Sequence, residues 1–326
     1  MHPQHIFSYS TSCSAVLLNC VMMFVILRHS TEKIGKYKYL LFLYTLDGAL
    51  FSSAQMSIMP NWVTMKDSYI FTPTVTFLPR SLQTIAITVW VALFYITLFI
   101  VCWSFWYRIT CIAEKMSDFF ENKRRLFLIL LFNFIILCLL SLCIVSIHNN
   151  EKTDSYYEER NISINNQTVN EIGYIGGPFF YRGHELNWIL STALAVHGIC
   201  NCCIINFICF CWLKIRREIQ ALRSLSQQKF QYRIYLLLTI QACLPVVFDA
   251  TPVIIAFSLS LLQLDIGEWI KVAGVFISTA QVIEPLCIAF MINDYKRALF
   301  KMFKIPLKNS IVSDHTQNSS HTPQQA

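Results

Sequence analysis

Charged residues and glycine are scarce in this chain, and their scarcity excludes several classes of protein. Only 14% of its 326 residues are charged, whereas soluble domains carry roughly 25%. Glycine (9) and proline (10) together are outnumbered by phenylalanine (25), which excludes collagen-like repeats and a disordered chain. The net charge of +7 comes from basic residues that lie between long apolar runs, so we expect no nucleic-acid partner.

The cysteines are not spaced like a disulfide framework or a metal centre. There are 13, an odd number at irregular spacing, and nearly all lie inside apolar runs, where cysteine behaves as a small hydrophobic residue. The densest group, Cys200, Cys202 and Cys203, has only His197 nearby and lacks paired ligands at metal-binding spacing. We therefore expect no metal and no cofactor.

Seven apolar runs are long enough to cross a bilayer, which requires ~20 mostly apolar residues. Backbone N–H and C=O groups cannot stay unpaired in lipid, so runs of this length are expected to be helices. The sequence thus predicts an all-α integral membrane protein, a seven-transmembrane helix bundle. Its helices are expected at about 6–27, 39–60, 81–107, 126–147, 186–213, 234–262 and 269–292.

The loops predict the orientation of this bundle, because lysine and arginine are retained on the cytoplasmic side. The loops after the first, third and fifth runs and the segment after the seventh hold 20 of the 26 basic residues. We therefore expect the N-terminus outside and the C-terminus inside.

A short amphipathic helix is predicted at 293–304, after the seventh run. Asn293 or Asp294 can cap it, and the apolar residues that follow form one stripe with basic residues on the remaining face. Such a helix lies on the inner membrane surface. We expect one membrane domain over 1–304 and, because 305–326 is polar, a disordered cytoplasmic tail.

Two carboxyl groups, Asp47 and Glu284, lie inside predicted membrane helices, where an ionisable side chain is costly and marks a functional candidate. Each lies about eight residues from the inner end of its helix, or ~12 Å deep, so the two can meet. Together they would share a proton or hold a cation, since two close carboxylates cannot both stay ionised. A switch site of this kind and two separate hydrogen-bonded carboxyl groups both remain open.

A third carboxyl group, Asp249, lies between Pro245 and Pro252, each of which removes a helical hydrogen bond and favours a kink. It lies ~22 Å from the inner side, and His197 lies at a similar height on the fifth helix. Both are candidates to bind a ligand between the helices, and a purely structural role remains open for each. The same cavity would include residues of the outer third helix: Gln83, Thr84, Ile87 and Trp90.

Three motifs resemble those of a known family. Residues 34–41, Ile-Gly-Lys-Tyr-Lys-Tyr-Leu-Leu, resemble the signature that enters helix two of nematode serpentine chemoreceptors, the Str superfamily of G-protein-coupled receptors. Residues 240–245 are similar to its helix-six Gln-x-x-x-Pro stretch. Glu284-Pro285-Leu286 and residues 292–297 resemble its Asp-Pro-Leu and Asp-Tyr-Arg ending. The resemblance covers roughly 6–304 and leaves the subclass (Str, Srj, Srh or Sri) open.

This resemblance implies a chemosensory receptor that binds an external small molecule and activates a heterotrimeric G protein at the plasma membrane of a sensory-neuron cilium. It implies that Tyr107 and Arg108 at the inner end of helix three contact the G protein, with Arg108 as the key contact or lock. Pro245 and Pro285 belong to the expected switch with Asp47 and Glu284. No cysteine lies at the outer end of helix three or in the loop 148–185, so the tethering disulfide of rhodopsin-like receptors cannot form.

A ligand-gated channel or a secondary transporter is the alternative function. Transporters typically contain internal repeats and helices broken by glycine, and neither is present in the sequence. An insect-type channel would place the N-terminus inside, against the distribution of basic residues. The Gly-x-Gly-Asp and Gly-x-Ser-Gly motifs of intramembrane proteases are missing, so we expect no enzymatic activity.

The glycosylation sequons give a test of the predicted orientation. Asn161-Ile-Ser and Asn166-Gln-Thr fall in the loop 148–185, which the basic residues place outside. We predict glycans at both and none at Asn318, whose sequon lies in the cytoplasmic tail. Replacing each asparagine with glutamine should remove one glycosidase-sensitive mass shift at Asn161 and at Asn166. A glycan on Asn318 would overturn the orientation.

Overall fold

The computed structural model describes residues 3–31, 34–65, 67–74, 78–112, 123–160, 162–164, 167–181, 185–222, 224–264 and 270–304. In this part of the chain, the predicted seven-helix bundle is confirmed. Its helices are α1 (Pro3–His29), α2 (Tyr37–Ile58), α3 (Arg80–Ile112), α4 (Lys123–Ser146), α5 (Trp188–Ala221), α6 and α7 (Ile270–Met291). α6 has three parts: Leu225–Leu244, a π-helical segment at Pro245–Ala250, and Thr251–Leu261. "Outer" and "inner" below denote the sides predicted to face the exterior and the cytoplasm.

Six of the seven helices are long and apolar enough to cross a membrane by length and composition alone. The remaining helix, α2, is more polar because it carries four buried polar residues: Thr45, Asp47, Ser52 and Gln55. Its polar residues therefore face other helices and not lipid, which is the arrangement expected for polar side chains in a membrane helix. α3, α5 and α6 extend beyond their predicted inner ends, since helical hydrogen bonding continues past the apolar run.

The inner rim is closed by α8 (Asn293–Met302), the predicted amphipathic helix. Its Tyr295 is fully buried and shares a 2.7 Å hydrogen bond with Ser30 at the end of α1. Beside it, Thr31 donates to the Asp294 carboxylate at 2.7 Å. Burial, partly offset by the bond to Ser30, raises the pKa of Tyr295 to about 12. α8 is thus fixed to the inner end of α1.

The helices pack in sequence around two apolar clusters, one in the inner half and one in the outer half. α1 packs against α2 and α7, α2 against α3, and α3 against α4 and α5. At the contact of α1 with α2, a Cβ on Gly48 would lie only 3.1 Å from Oδ1 of Asn19. Glycine at this position therefore lets α1 approach the segment of α2 that carries Asp47.

A small antiparallel sheet, which the sequence did not predict, covers the outer end of the bundle. β1 (Pro60–Met65) pairs with β2 (Ser68–Pro73), and β2 pairs with β5 (Ile175–Pro178), with Trp62 opposite Phe71. Two-residue pairs flank it: β3 (Ser163–Ile164) with β4 (Gln167–Thr168), and β6 (Phe180–Tyr181) with β7 (Glu185–Leu186). The described residues of the loop 148–185 are therefore folded over the outer end of the bundle.

The loop is attached to α3 without a disulfide. Arg80, the first residue of α3, donates from Nη2 to both carboxylate oxygens of Asp154 at 2.7 Å. Asp154 lies on a short outer helix, Glu151–Glu158, which is capped by Asn150. Burial, with Asp154 alongside, raises the pKa of the Tyr174 hydroxyl, which donates to Asp154 at 2.8 Å. Farther along α3, Gln83 Oε1 accepts from the Gly173 amide at 2.7 Å.

We predict a measurable coupling between Arg80 and Asp154. Their side chains are 31% and 14% exposed, so the contact of one guanidinium nitrogen with both carboxylate oxygens is screened less than a surface ion pair. In a double-mutant cycle with Arg80→Ala and Asp154→Ala, the coupling in the free energy of unfolding should be about 1 kcal/mol or more. Thermal unfolding in detergent would measure it.

The matched control is Lys152 with Glu185, an ion pair of similar length, 2.8 Å, whose side chains are 57% and 65% exposed. Its cycle should give a coupling near zero, because exposed pairs contribute ~0–1 kcal/mol. Equal coupling in the two cycles would contradict the assignment of Arg80–Asp154 as the tether.

Candidate functional site

A cavity of about 460 Å³ opens in the outer half of the bundle. Its walls come from α3, α4, α5 and α6 and, at one position each, from α2 and α7, and the sheet closes it from the outer side. Most of the wall is aromatic or aliphatic. The volume and the apolar wall are typical of a small-molecule site. The sheet and the aromatic part of the wall contribute Phe51, Trp62, Tyr69, Phe71, Trp90, Phe94, Phe179 and Phe257.

Three of the six predicted ligand residues line this cavity: Trp90, His197 and Asp249. The other three, Gln83, Thr84 and Ile87, are buried outside the lining. Gln83 and Thr84 instead hold the outer loop, since Thr84 shares a bond with Asn149 at 3.3 Å and Gln83 accepts from Gly173. Ile87 packs in the outer apolar cluster.

Asp249 combines burial with a free acceptor. Its side chain lies on the π segment of α6, is 8% exposed and lines the cavity. Within the described residues its Oδ1 has no hydrogen-bond partner. A buried polar atom without a partner is costly, and π segments within α-helices are frequent at functional sites. Asp249 can therefore bind a group that enters the cavity.

A second polar group lies across the cavity on α3 and α5. The Tyr95 hydroxyl lies 2.7 Å from Nδ1 of His197 and accepts from Asn201 Nδ2 at 3.2 Å. All three residues line the cavity. The sequence did not single out Tyr95 or Asn201, although the spacing of His197 and Asn201 by one helical turn indicates a shared face.

Trp90 links the cavity wall to a polar chain across three helices. Its indole N–H donates to Gln55 Oε1 of α2 at 2.8 Å. Gln55 donates in turn to Ser278 of α7 at 3.2 Å, and Ser278 lies 3.0 Å from Ser8 of α1. The chain satisfies buried polar groups and fixes the orientation of the Trp90 ring.

Electrostatic interaction links the two predicted inner carboxyl groups, Asp47 and Glu284, and extends to Asp249. The Asp47 carboxylate accepts from Thr97 of α3 at 2.5 Å. Glu284 of α7 lies close enough to Asp47, Asp249 and Tyr44 for electrostatic interaction. We call Asp47, Asp249 and Glu284 the carboxyl cluster. Among the described residues, no group of three or more side chains has the arrangement of a metal site.

The sequence placed Asp249 ~22 Å and Glu284 ~12 Å from the inner side. Counted from the outer ends of α6 and α7, both lie ~20 Å along their helices at ~1.5 Å per residue. This similar distance from the outer ends allows the electrostatic interaction between the two side chains.

The predicted coupling residue Arg108 is buried at the inner end of α3. It is 5% exposed, and its guanidinium carbon lies 4.0 Å from the ring centroid of Tyr37. Tyr37 also stacks with Tyr107 at 6.1 Å. Tyr37 is the first residue of α2 and is fully buried. The sequence placed Tyr37 in the helix-two motif but assigned it no role.

Both predicted switch prolines lie inside membrane helices. Pro245 is the first residue of the π segment of α6, and Pro285 follows Glu284 within α7. Pro285 also borders a small apolar groove of about 190 Å³ between α1, α7 and α8. The sequons at Asn161 and Asn166 and the tail 305–326 lie outside the described residues.

The chain can be compared with known families on this basis. The sequence model of the serpentine type 7TM GPCR chemoreceptor Str family matches residues 4–300. No curated protein matched the chain in sequence comparison. The match includes all seven membrane helices, the cavity, the carboxyl cluster and Arg108. The chain therefore belongs to the Str family of serpentine seven-transmembrane chemoreceptors.

Proposed function

We propose that the protein binds an external small molecule in the outer cavity and activates a heterotrimeric G protein at its inner face. One observation carries this proposal: Asp249 lies on the cavity wall and within electrostatic reach of Glu284. A single side chain thus faces the ligand space and interacts with a carboxyl group in the interior of the bundle.

Ligand binding at Asp249 would change the charge balance of the cluster. Asp249 and Glu284 are both buried and interact electrostatically, so charge on one disfavours charge on the other. A ligand that donates a hydrogen bond to Asp249 Oδ1 stabilises charge on Asp249 and so favours a neutral Glu284. Differential stabilisation of this kind is what a ligand needs in order to shift a conformational equilibrium.

α6 is the helix whose bending would produce this shift. Its π segment carries Asp249 and begins at Pro245, so the ladder of helical hydrogen bonds is already irregular there. Irregular segments accommodate bending at lower cost than regular helix. A bend here would move the inner part of α6, Leu225–Leu244, relative to α5 and α3.

At the inner face, Arg108 is held against Tyr37 and is inaccessible to a partner protein. Contact with a G protein requires its release. Cation–π contacts are worth ~0.5–2 kcal/mol, an amount that ligand binding can readily offset. The Arg108–Tyr37 contact thus acts as the inner lock.

For the receptor's location we propose the plasma membrane of a sensory-neuron cilium.

Asp249→Asn tests the ligand end of the proposal. The substitution keeps size and hydrogen-bonding capacity but removes ionisation. A hydrogen bond to a charged group is worth ~1.5–3 kcal/mol, or ~10- to 150-fold in affinity. We expect the dose–response curve for an agonist that carries a hydrogen-bond donor to shift by about tenfold or more, measured at matched surface expression.

Glu159→Gln makes the same carboxyl-to-amide change at an exposed position of the outer loop, away from the cavity, and should leave potency unchanged. Agonists would be found by screening volatile and water-soluble compounds with a second-messenger reporter. A shift below about threefold, or ~0.7 kcal/mol, for Asp249→Asn would return Asp249 to a structural role.

Substitutions at the lock should have opposite effects. Arg108→Ala should abolish agonist-driven nucleotide exchange while surface expression persists. Tyr37→Leu removes the ring that holds the guanidinium, so we expect basal exchange to rise by ~2- to 30-fold, the equivalent of the ~0.5–2 kcal/mol of a cation–π contact.

The control for the lock is Arg28→Ala, at an exposed position in the last turn of α1. It should leave exchange unchanged. Normal agonist response in Arg108→Ala would remove Arg108 from the coupling site, and unaltered basal exchange in Tyr37→Leu would contradict the lock.

A further inference from the structure

The wall of the cavity is buried on every side except one. The lining residues from α3, α4, α7 and the sheet are all buried or half-buried. The exposed lining residues belong to α5 and α6 alone: Ala195, Gly198, Ile254, Ser258 and Leu261. The cavity therefore opens sideways, between these two helices.

The outer side of the cavity is covered by aromatic residues of the sheet. Trp62 packs on Phe71 with ring centroids 4.6 Å apart, and both are buried. The rings of Tyr69 and Phe257 of α6 pack edge to face with centroids 4.4 Å apart, and this contact joins the sheet to α6. Where the structure describes the outer face, the route from water into the cavity thus passes through packed rings.

α5 and α6 are joined in their inner halves and diverge outward. On the inner side, Trp212 of α5 donates to Thr239 of α6 at 3.1 Å and stacks with Tyr235 at 5.7 Å. The outer part of α6, Thr251–Leu261, packs instead against β1, β2 and α7. A Cβ placed on Gly198 would meet no atom within 4 Å, so the space beside α5 is open at this height.

The opening lies at the depth of lipid acyl chains. Gly198 and Ile254 lie ~10–15 Å below the outer ends of their helices at ~1.5 Å per residue. The hydrocarbon core of a bilayer is ~30 Å thick, so both positions face the outer leaflet and not water.

We propose that this opening, formed by Ala195, Gly198, Ile254 and Ser258, is a lateral portal through which ligands enter the cavity from the outer leaflet. The ligand class that follows is a small, uncharged, lipid-partitioning molecule, because a charged one would pay a large desolvation cost on this route. One hydrogen-bond donor, such as a hydroxyl or an unprotonated amine, would complement Asp249. The proposal rests on the proposed function, in which this cavity is the ligand site.

The portal can be closed by one substitution. Gly198→Phe places a large ring in the open space, and helix formation tolerates it because glycine is the poorer helix former of the two. Gly274→Phe is the matched control. Gly274 also lies in a membrane helix with no atom within 4 Å of an added Cβ, but it does not line the cavity.

The probe is octanol carrying a photoreactive diazirine, added to the receptor in lipid nanodiscs. Mass spectrometry of peptides would follow labelling of Trp90–Tyr95, which forms the far wall of the cavity. We expect the initial rate to fall by about tenfold in Gly198→Phe, the effect of ~1.4 kcal/mol in an entry barrier. Gly274→Phe should match the wild type. Ala195→Leu provides a second, smaller obstruction if Gly198→Phe does not fold.

Labelling at long times separates the portal from the cavity. If the wild type is labelled at Trp90–Tyr95 but the initial rate is unchanged in both portal variants, ligands enter elsewhere and the portal is refuted while the ligand site stands. If the wild type is never labelled there, the cavity does not bind small lipophilic molecules, and the ligand site itself fails with the portal.

Discussion

The proposed mechanism of the receptor depends on three buried carboxyl groups that interact electrostatically inside a lipid-embedded bundle. Asp47, Asp249 and Glu284 are all buried, and each buried carboxyl group must gain a partner or remain protonated. Asp47 gains the Thr97 hydroxyl, and Glu284 lies beside Tyr44. Asp249 keeps a carboxyl oxygen free toward the cavity. The protonation of this cluster is therefore sensitive to what occupies the cavity.

The rest of the structure positions the two ends of this cluster. On the outer side, the Arg80–Asp154 pair fixes the loop and its sheet to α3, which closes the cavity without the disulfide that rhodopsin-like receptors use. On the inner side, Arg108 is stacked on Tyr37. Between them, the π segment of α6 combines the free carboxyl group with an irregular backbone. In the proposed function, ligand binding moves one helix while the outer loop and the inner end of α3 stay fixed. α6 has the two features that this requires, a free carboxyl group and an irregular backbone.

The sequence predicted features that depend on composition along the chain. Helix number follows from run length, and the amphipathic α8 follows from its periodicity. The sheet was not predicted because β1 and β2 lie in a short connection between helices. Their strand conformation depends on backbone pairing between strands and not on a hydrophobic pattern in the sequence. Two contacts join residues of different helices and cannot be predicted from a single sequence: Tyr95 with His197, and Arg108 with Tyr37.

In the proposed mechanism, Asp249 transmits the state of the cavity to α7 through Glu284. A double-mutant cycle measures this transmission as basal nucleotide exchange on a purified heterotrimeric G protein, with Asp249→Asn, Glu284→Gln and both together in nanodiscs. We expect that relieving the repulsion at either residue removes most of the effect of the other, with a coupling of about 1 kcal/mol or more. Additive effects on exchange would contradict it.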